Sequence, residues 1–178
     1  SVKERYNLLN FISKTLGINN INIERIYSGK NNGFTSNIFH KYCDNIMNTI
    51  TLIKNNYGTI FGGYASVSWT NKLGFKQDLT AFLFKINNDG SIDIFKQKGC
   101  NGNNAIYCNN NCLTTFGDGF DLFISNNCNN NYNNISKISK YITKNNTGND
   151  LIGGGPNYSD NNCYHFKVIN IEVFTVNE

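Results

Sequence analysis

Residues 80–96, TAFLFKINNDGSIDIFK, constrain the fold more tightly than any other stretch of the chain. Apolar side chains recur at every second position in both arms: Phe82, Phe84 and Ile86 before the break, Ile92 and Ile94 after it. That period belongs to extended strands; a helix repeats every 3.6 residues and would scatter these side chains around its axis. Between the arms stands Asn87-Asn88-Asp89-Gly90. Asp-Gly accepts the positive backbone dihedrals of a tight turn, so the arms pair as an antiparallel hairpin.

The same two-residue period recurs along the chain. INIERIYSG (21–29) alternates apolar and polar residues, and TITLIKNNYGTIFGGYASVSW (49–69) reads as a strand, a turn at Asn55 to Gly58 and a second strand. NAIYC and FDLFIS are shorter strands, and NCYHFKVINIEVFTV is one long C-terminal strand. Helical spacing is confined to residues 3–16, where Leu8, Ile12 and Leu16 recur every four and Gly17 stops the run, and to TSNIFHKYCDN. In the latter, Thr35 or Ser36 caps a short helix with Ile38, Phe39 and Tyr42 on its inner side. Pro156 beside Gly153-Gly154-Gly155 marks a loop before the last strand. The fold class is therefore mainly β with peripheral helices, a two-sheet antiparallel β-sandwich. No repeat or linker divides it, so residues 1–178 form one domain, with an N-terminal helix at 1–17 and the sandwich core with short helices at 18–178.

Charged residues make up only 16% of the chain, and 36 asparagines take their place. Asn supplies solubility without charge and tolerates left-handed turns. The runs at 109–111 and 126–134 are aperiodic and read as loops. A net charge of +4 with no dense Lys/Arg block excludes a nucleic-acid footprint. Apolar runs of four to five residues are too short for a membrane span, and the charged N-terminus has no secretory pattern. The six cysteines are read accordingly as free thiols in a reducing compartment.

FGGYASVSW (61–69) invites a catalytic reading, but neither phosphate-loop spacing nor the G-x-S-x-G elbow is present. Taken as a strand, it places Phe61, Gly63, Ala65, Val67 and Trp69 on one face and Gly62, Tyr64, Ser66 and Ser68 on the other. The pairs His40-x-x-Cys43 and Cys163-x-His165 supply two sulfurs and two imidazoles, without the usual zinc spacing; no metal and no cofactor is expected. Asp118 and Asp121 sit in a Gly-rich turn lacking the EF-hand pattern. Glu172 is the odd charge in INIEVFTV, where a switch of apolar parity implies a bulge or two-sided burial near 168–169. A carboxylate with apolar neighbours needs an ion pair, hydrogen bonds or a shifted pKa, so Glu172 is either a sheet-rim residue bonded to a loop backbone or a candidate catalytic group.

The ordered segments GFTSNIFHKYCDN, FGGYASVSWT, DLTAFLFKIN, AIYC, TTFGDGFDLFI and FKVINIEVFTV resemble the TLDc domain, the C-terminal module of oxidation resistance proteins, over residues 5–178. The resemblance implies the two-sheet sandwich with peripheral helices. Its marked positions fall on Gly62, Gly63, Ser66, Trp69, Phe116, Gly117, Asp121 and Glu172, with Ser68 in the same signature. Leu113-Thr114-Thr115 precedes Phe116-Gly117 where the family usually has G-P-x-F-G, and Ile46-Met47-Asn48-Thr49 stands where it usually has K-G-P-T. These departures bear on local loops. The run 126–134 has no counterpart in the family pattern.

By the same resemblance, the expected function is a non-enzymatic interaction module linked to oxidative-stress protection. It would bind and regulate the vacuolar proton-pumping ATPase in the cytoplasm, peripheral to organelle membranes through that partner. One alternative is a small redox or hydrolytic enzyme using Glu172 or a loop cysteine, Cys100, Cys108 or Cys112. Another is an architectural component of a larger assembly.

Overall fold

The computed structural model describes residues 2–19, 21–99, 101–159 and 162–177. Two antiparallel sheets face each other. The six-stranded sheet runs β1 (Asn22–Ser28), β13 (Val168–Asn177), β2 (Thr49–Asn55), β3 (Ile60–Ala65), β5 (Phe82–Ile86), β6 (Ile92–Lys96). The seven-stranded sheet runs β11 (Asn157–Ser159), β12 (Cys163–Phe166), β10 (Asn134–Ser136), β9 (Leu122–Ser125), β8 (Cys112–Phe116), β7 (Ile106–Cys108), β4 (Gly74–Lys76). The helices are α1 (Val2–Leu16), α2 (Gly29–Asn32), α3 (Ser36–Cys43) and α4 (Gly148–Ile152). Among the described residues, no helix is long and apolar enough to cross a membrane.

The hairpin forms as its sequence dictates: β5 and β6 pair from Phe82↔Lys96 to Ile86↔Ile92, with Gly90 at φ +85° in the turn. The main core lies between the sheets. Ile53, Phe61, Leu83, Ile171 and Val173 of the first sheet meet Ile106, Phe116, Leu122, Ile124 and Phe166 of the second. A smaller core lies on the outer face of the six-stranded sheet, where Ile12 of α1 packs with Ile23, Ile50, Tyr64, Phe82, Phe84 and Val176. The sheet is thus buried on both sides beneath α1, which is why β3 from Phe61 to Ala65 is buried on both parities.

Three sequence readings need correction. FGGYASVSW is not one strand: β3 stops at Ala65, because the buried carboxylate of Asp78 takes the amide of Ser66 (2.6 Å) and its hydroxyl (2.8 Å), turning the chain out of the sheet. The long C-terminal strand is two strands, broken at Lys167, so that Phe166 belongs to one sheet and Val168 to the other. On α3 the inner residues are Ser36, Phe39, His40 and Cys43, at i, i+3, i+4 and i+7, while Tyr42 turns outward. The bulge is present: the pairing of β13 with β2 shifts register between Val168 and Asn170. Thr35 is the α3 cap, its hydroxyl accepting from the Ile38 amide.

Asparagine does more than fill loops. Of the seven non-glycine residues with positive φ among the described residues, six are asparagines: Asn45, Asn48, Asn104, Asn127, Asn146 and Asn162. Asn134, at the end of the 126–134 run, opens β10. It is fully buried, accepts the Ser125 amide and donates to the carbonyls of Cys128 and Phe166. Asn55 works the same way at the β2–β3 turn, accepting from the amides of Tyr57 and Thr59 and donating to the Ile152 carbonyl.

Candidate functional site

Eight of the nine signature positions sit on β3, on the segment that follows it, at the end of β8 and in the β8–β9 turn. Gly62 and Gly63 lie where β3 passes between neighbours that leave no room for a side chain. A Cβ on Gly62 would stand 1.8 Å from the Thr51 carbonyl oxygen, and one on Gly63 would stand 2.5 Å from the Phe116 ring. Phe116 stacks edge-on against Trp69 at 5.6 Å, and Trp69 against Phe39 at 6.0 Å. The indole Nε1 donates to Thr49 Oγ1 at 2.9 Å, which satisfies the one polar atom of a buried ring. Ser66 is held by Asp78. Lys76 Nζ donates to the Ser68 carbonyl and reaches its hydroxyl at 3.3 Å.

Gly117 and Asp121 complete the set. Gly117 has φ +78°, and a Cβ there would stand 2.0 Å from Asp121 Oδ2. Asp121 is fully buried and accepts the amides of Ser139 (2.8 Å), Lys140 (2.9 Å) and Tyr141 (2.8 Å). Burial pushes its carboxyl above the usual range, against the pull of the three amides and the Ser139 hydroxyl. Each of these residues is engaged in holding the fold.

Ser66, Ser68 and His40 are not brought together as a nucleophile and its base. Ser66 and Ser68 are bonded to Asp78 and Lys76. His40 is clamped between Asp44 Oδ1 (2.6 Å) and the carbonyl oxygens of Asn109 (2.9 Å) and Cys112 (3.1 Å). Cys108 and Cys112 are not loop thiols: one closes β7, the other opens β8, and both are buried. Burial pushes the thiols of Cys43, Cys108, Cys112 and Cys128 up, that of Cys128 to about 12. Cys100 lies outside the described residues. Among the described residues no three His, Cys, Asp or Glu side chains gather as a metal site, so the pairs His40/Cys43 and Cys163/His165 do not converge.

Glu172 stands apart from the other eight, on the outer face of the six-stranded sheet. Alternation along β13 sends Ile171 and Val173 to the core and Glu172 and Phe174 outward. Its Oε1 accepts from Arg25 Nη1 of β1 at 2.6 Å. The two side chains are 24% and 46% exposed. The pair lies in a groove of about 750 Å³ beside α1, with Leu52, Ile60, Ile86 and Phe174 as apolar lining and Asn170 and Lys54 nearby. The Asn170 Oδ1 is buried there without a donor. The described residues that line the groove include no serine, cysteine or histidine. Its lining combines apolar area with a few polar and charged groups. The sequence marks Glu172 but not the groove, because Arg25 lies 147 residues away and meets it only through the β1–β13 pairing.

An ion pair this exposed contributes little to stability. Glu172→Gln is expected to change the unfolding free energy by less than about 1 kcal/mol, measured by urea denaturation. A loss several times larger would mean that the carboxylate holds the sheet together rather than facing a ligand.

A comparison with curated proteins gives no match. The family model for the TLDc domain matches residues 1–177, a span that takes in α1, both sheets and all nine signature positions. The chain therefore belongs to the TLDc domain family.

Proposed function

We propose that this chain is a non-enzymatic interaction module that docks a protein partner in the groove beside α1. The partner we infer is a subunit of the vacuolar proton-pumping ATPase, and oxidative-stress protection follows from regulation of that pump. The module acts in the cytoplasm and reaches organelle membranes through the pump. One observation carries the reading: eight of the nine signature residues are engaged in internal packing and hydrogen bonds, while Glu172 faces an open, part-apolar groove. Family membership supports the choice of partner.

Affinity purification of the full chain from its native cell, read by quantitative mass spectrometry, tests both parts. Pump subunits are expected among the captured proteins. Ile60→Asp, which places a charge on the groove wall, is expected to reduce their capture at least about tenfold while leaving the circular dichroism unchanged. Absence of pump subunits, with pump assembly unaffected by deleting the chain, sinks the choice of partner. Undiminished capture by the Ile60→Asp variant sinks the choice of surface.

A further inference from the structure

Of the five described cysteines, four are sealed in the core and Cys163 is not. Cys163 sits half-buried on β12, two residues before His165, so both side chains leave the strand on one face. Its Sγ is 3.8 Å from His165 Nε2. The other ring nitrogen, Nδ1, is 2.8 Å from the carbonyl oxygen of Tyr132. A carbonyl only accepts, so Nδ1 carries the proton and donates it. In the neutral ring Nε2 then presents a lone pair, and the thiol lies before it. A nucleophile, a base in reach of its proton and a third group fixing the base's tautomer are the parts of an activated nucleophile. Tyr132 belongs to the run 126–134, so the backbone of that asparagine-rich run orients the imidazole.

We propose that Cys163 is an oxidant-modification site, with a hydroperoxide as reactant and His165 as base. Sulfur attacks the outer peroxide oxygen, and an S–O bond forms as the O–O bond breaks. The thiol proton passes to His165 Nε2 and on to the departing alkoxide. Cys163–SH and ROOH give Cys163–SOH and ROH; sulfur loses two electrons and the peroxide gains them. The sulfenic acid can then condense with a small thiol, releasing water and leaving a mixed disulfide. Burial pushes the Cys163 thiol up while Lys137, the charged group acting on it among the described residues, pulls it down. Standing thiolate is therefore scarce, and the proton has to leave during the attack.

The test uses the full chain in a Cys100→Ser background, treated with hydrogen peroxide and dimedone, digested and mapped by mass spectrometry. The dimedone adduct is expected on Cys163 at least about tenfold faster than on Cys43, Cys108, Cys112 or Cys128, and His165→Gln is expected to slow it at least about tenfold. Iodoacetamide separates base from access. At about pH 7 the His165→Gln variant should alkylate at Cys163 more slowly than the parent; at about pH 10, where hydroxide removes the thiol proton, the two should converge. Equal labelling of the five cysteines, no adduct on Cys163, or a His165→Gln variant reacting at the parental rate overturns the proposal. So does a variant slowed equally at both pH values, because its thiol has lost access and not its base.

Discussion

Gly62→Ala is expected to cost most of the fold's stability. Gly62 pairs with Leu52 of β2 on one side and Phe84 of β5 on the other, in the middle of the six-stranded sheet. The obstruction its new methyl group meets is backbone, the Thr51 carbonyl at 1.8 Å. A side chain could rotate aside; a carbonyl bonded into a central strand pair cannot move without opening the pair. Overpacking costs about 1–3 kcal/mol where neighbours can adjust, and here about 4 kcal/mol or more is expected, a large share of a domain's total. Gly63→Ala should cost less, because its obstructions are the Phe116 ring and a Leu83 methyl, both side chains. Gly58→Ala provides the contrast: with φ +84° and nothing within 4 Å, it should lose only about 1 kcal/mol, for the left-handed backbone. Urea unfolding followed by the fluorescence of Trp69 would rank the three. Equal losses at Gly62 and Gly58 would show that backbone preference, not crowding, governs β3.

The ranking bears on how much of the molecule is legible in its sequence. The β5–β6 hairpin announces itself by the two-residue recurrence of Phe82, Phe84, Ile86, Ile92 and Ile94 and by its Asp-Gly turn, although β5 is buried on both parities at Phe82, Leu83 and Phe84. A strand with neither a turn signal nor alternation does not. All five residues of β8 are buried, so Leu113-Thr114-Thr115 carries no alternation and reads as part of a turn. The end of β3 is hidden for a different reason. Ser66 continues the alternation as well as any residue, and only Asp78, twelve positions on, takes its amide and ends the strand. β10 and α4 are hidden because asparagine and glycine read as loop. Yet Asn134 makes backbone-like hydrogen bonds with its side chain. Asp150 likewise gathers the Thr143 hydroxyl and the Asn145 and Thr147 amides around the start of α4.

The signature residues are legible as a set, but not their work. Sequence spacing groups Gly62, Gly63, Ser66, Trp69, Phe116, Gly117 and Asp121 as a mark of the family. Their role as packing joints emerges only from contacts between residues far apart in the chain, such as Gly63 with Phe116. The Cys163–His165 pair is visible as a spacing, but its orientation comes from the Tyr132 carbonyl, 33 residues away, which no local pattern reveals.

Asp121 offers the sharpest test of that structural reading, because its carboxylate does the work of three backbone acceptors. Asp121→Ala would leave the buried amide of Tyr141 and the part-buried amides of Ser139 and Lys140 without their acceptor. Each orphaned donor costs about 1–3 kcal/mol, so a loss of about 4 kcal/mol or more is expected. Asp121→Asn keeps one acceptor oxygen but turns an NH₂ toward the Lys140 amide and Ser139 hydroxyl, which lie 3.1 and 3.3 Å from Oδ2. A loss of about 2 kcal/mol is expected there. The pH dependence has a definite sign. Burial raises the folded carboxyl above its ordinary range, so the folded chain binds a proton where the unfolded chain has already released it. In that window stability falls as pH rises. Asp121→Asn removes the titration, so the parent's advantage over this variant should be greatest below the ordinary aspartate range and shrink as pH climbs through the folded pKa. Parallel denaturant titrations of parent and variant from about pH 3 to about pH 7 measure that difference directly, because the other carboxylates titrate alike in both. An advantage that instead grows with pH would mean that the three amides outweigh burial, and that the carboxylate is held as an anion at the centre of the joint.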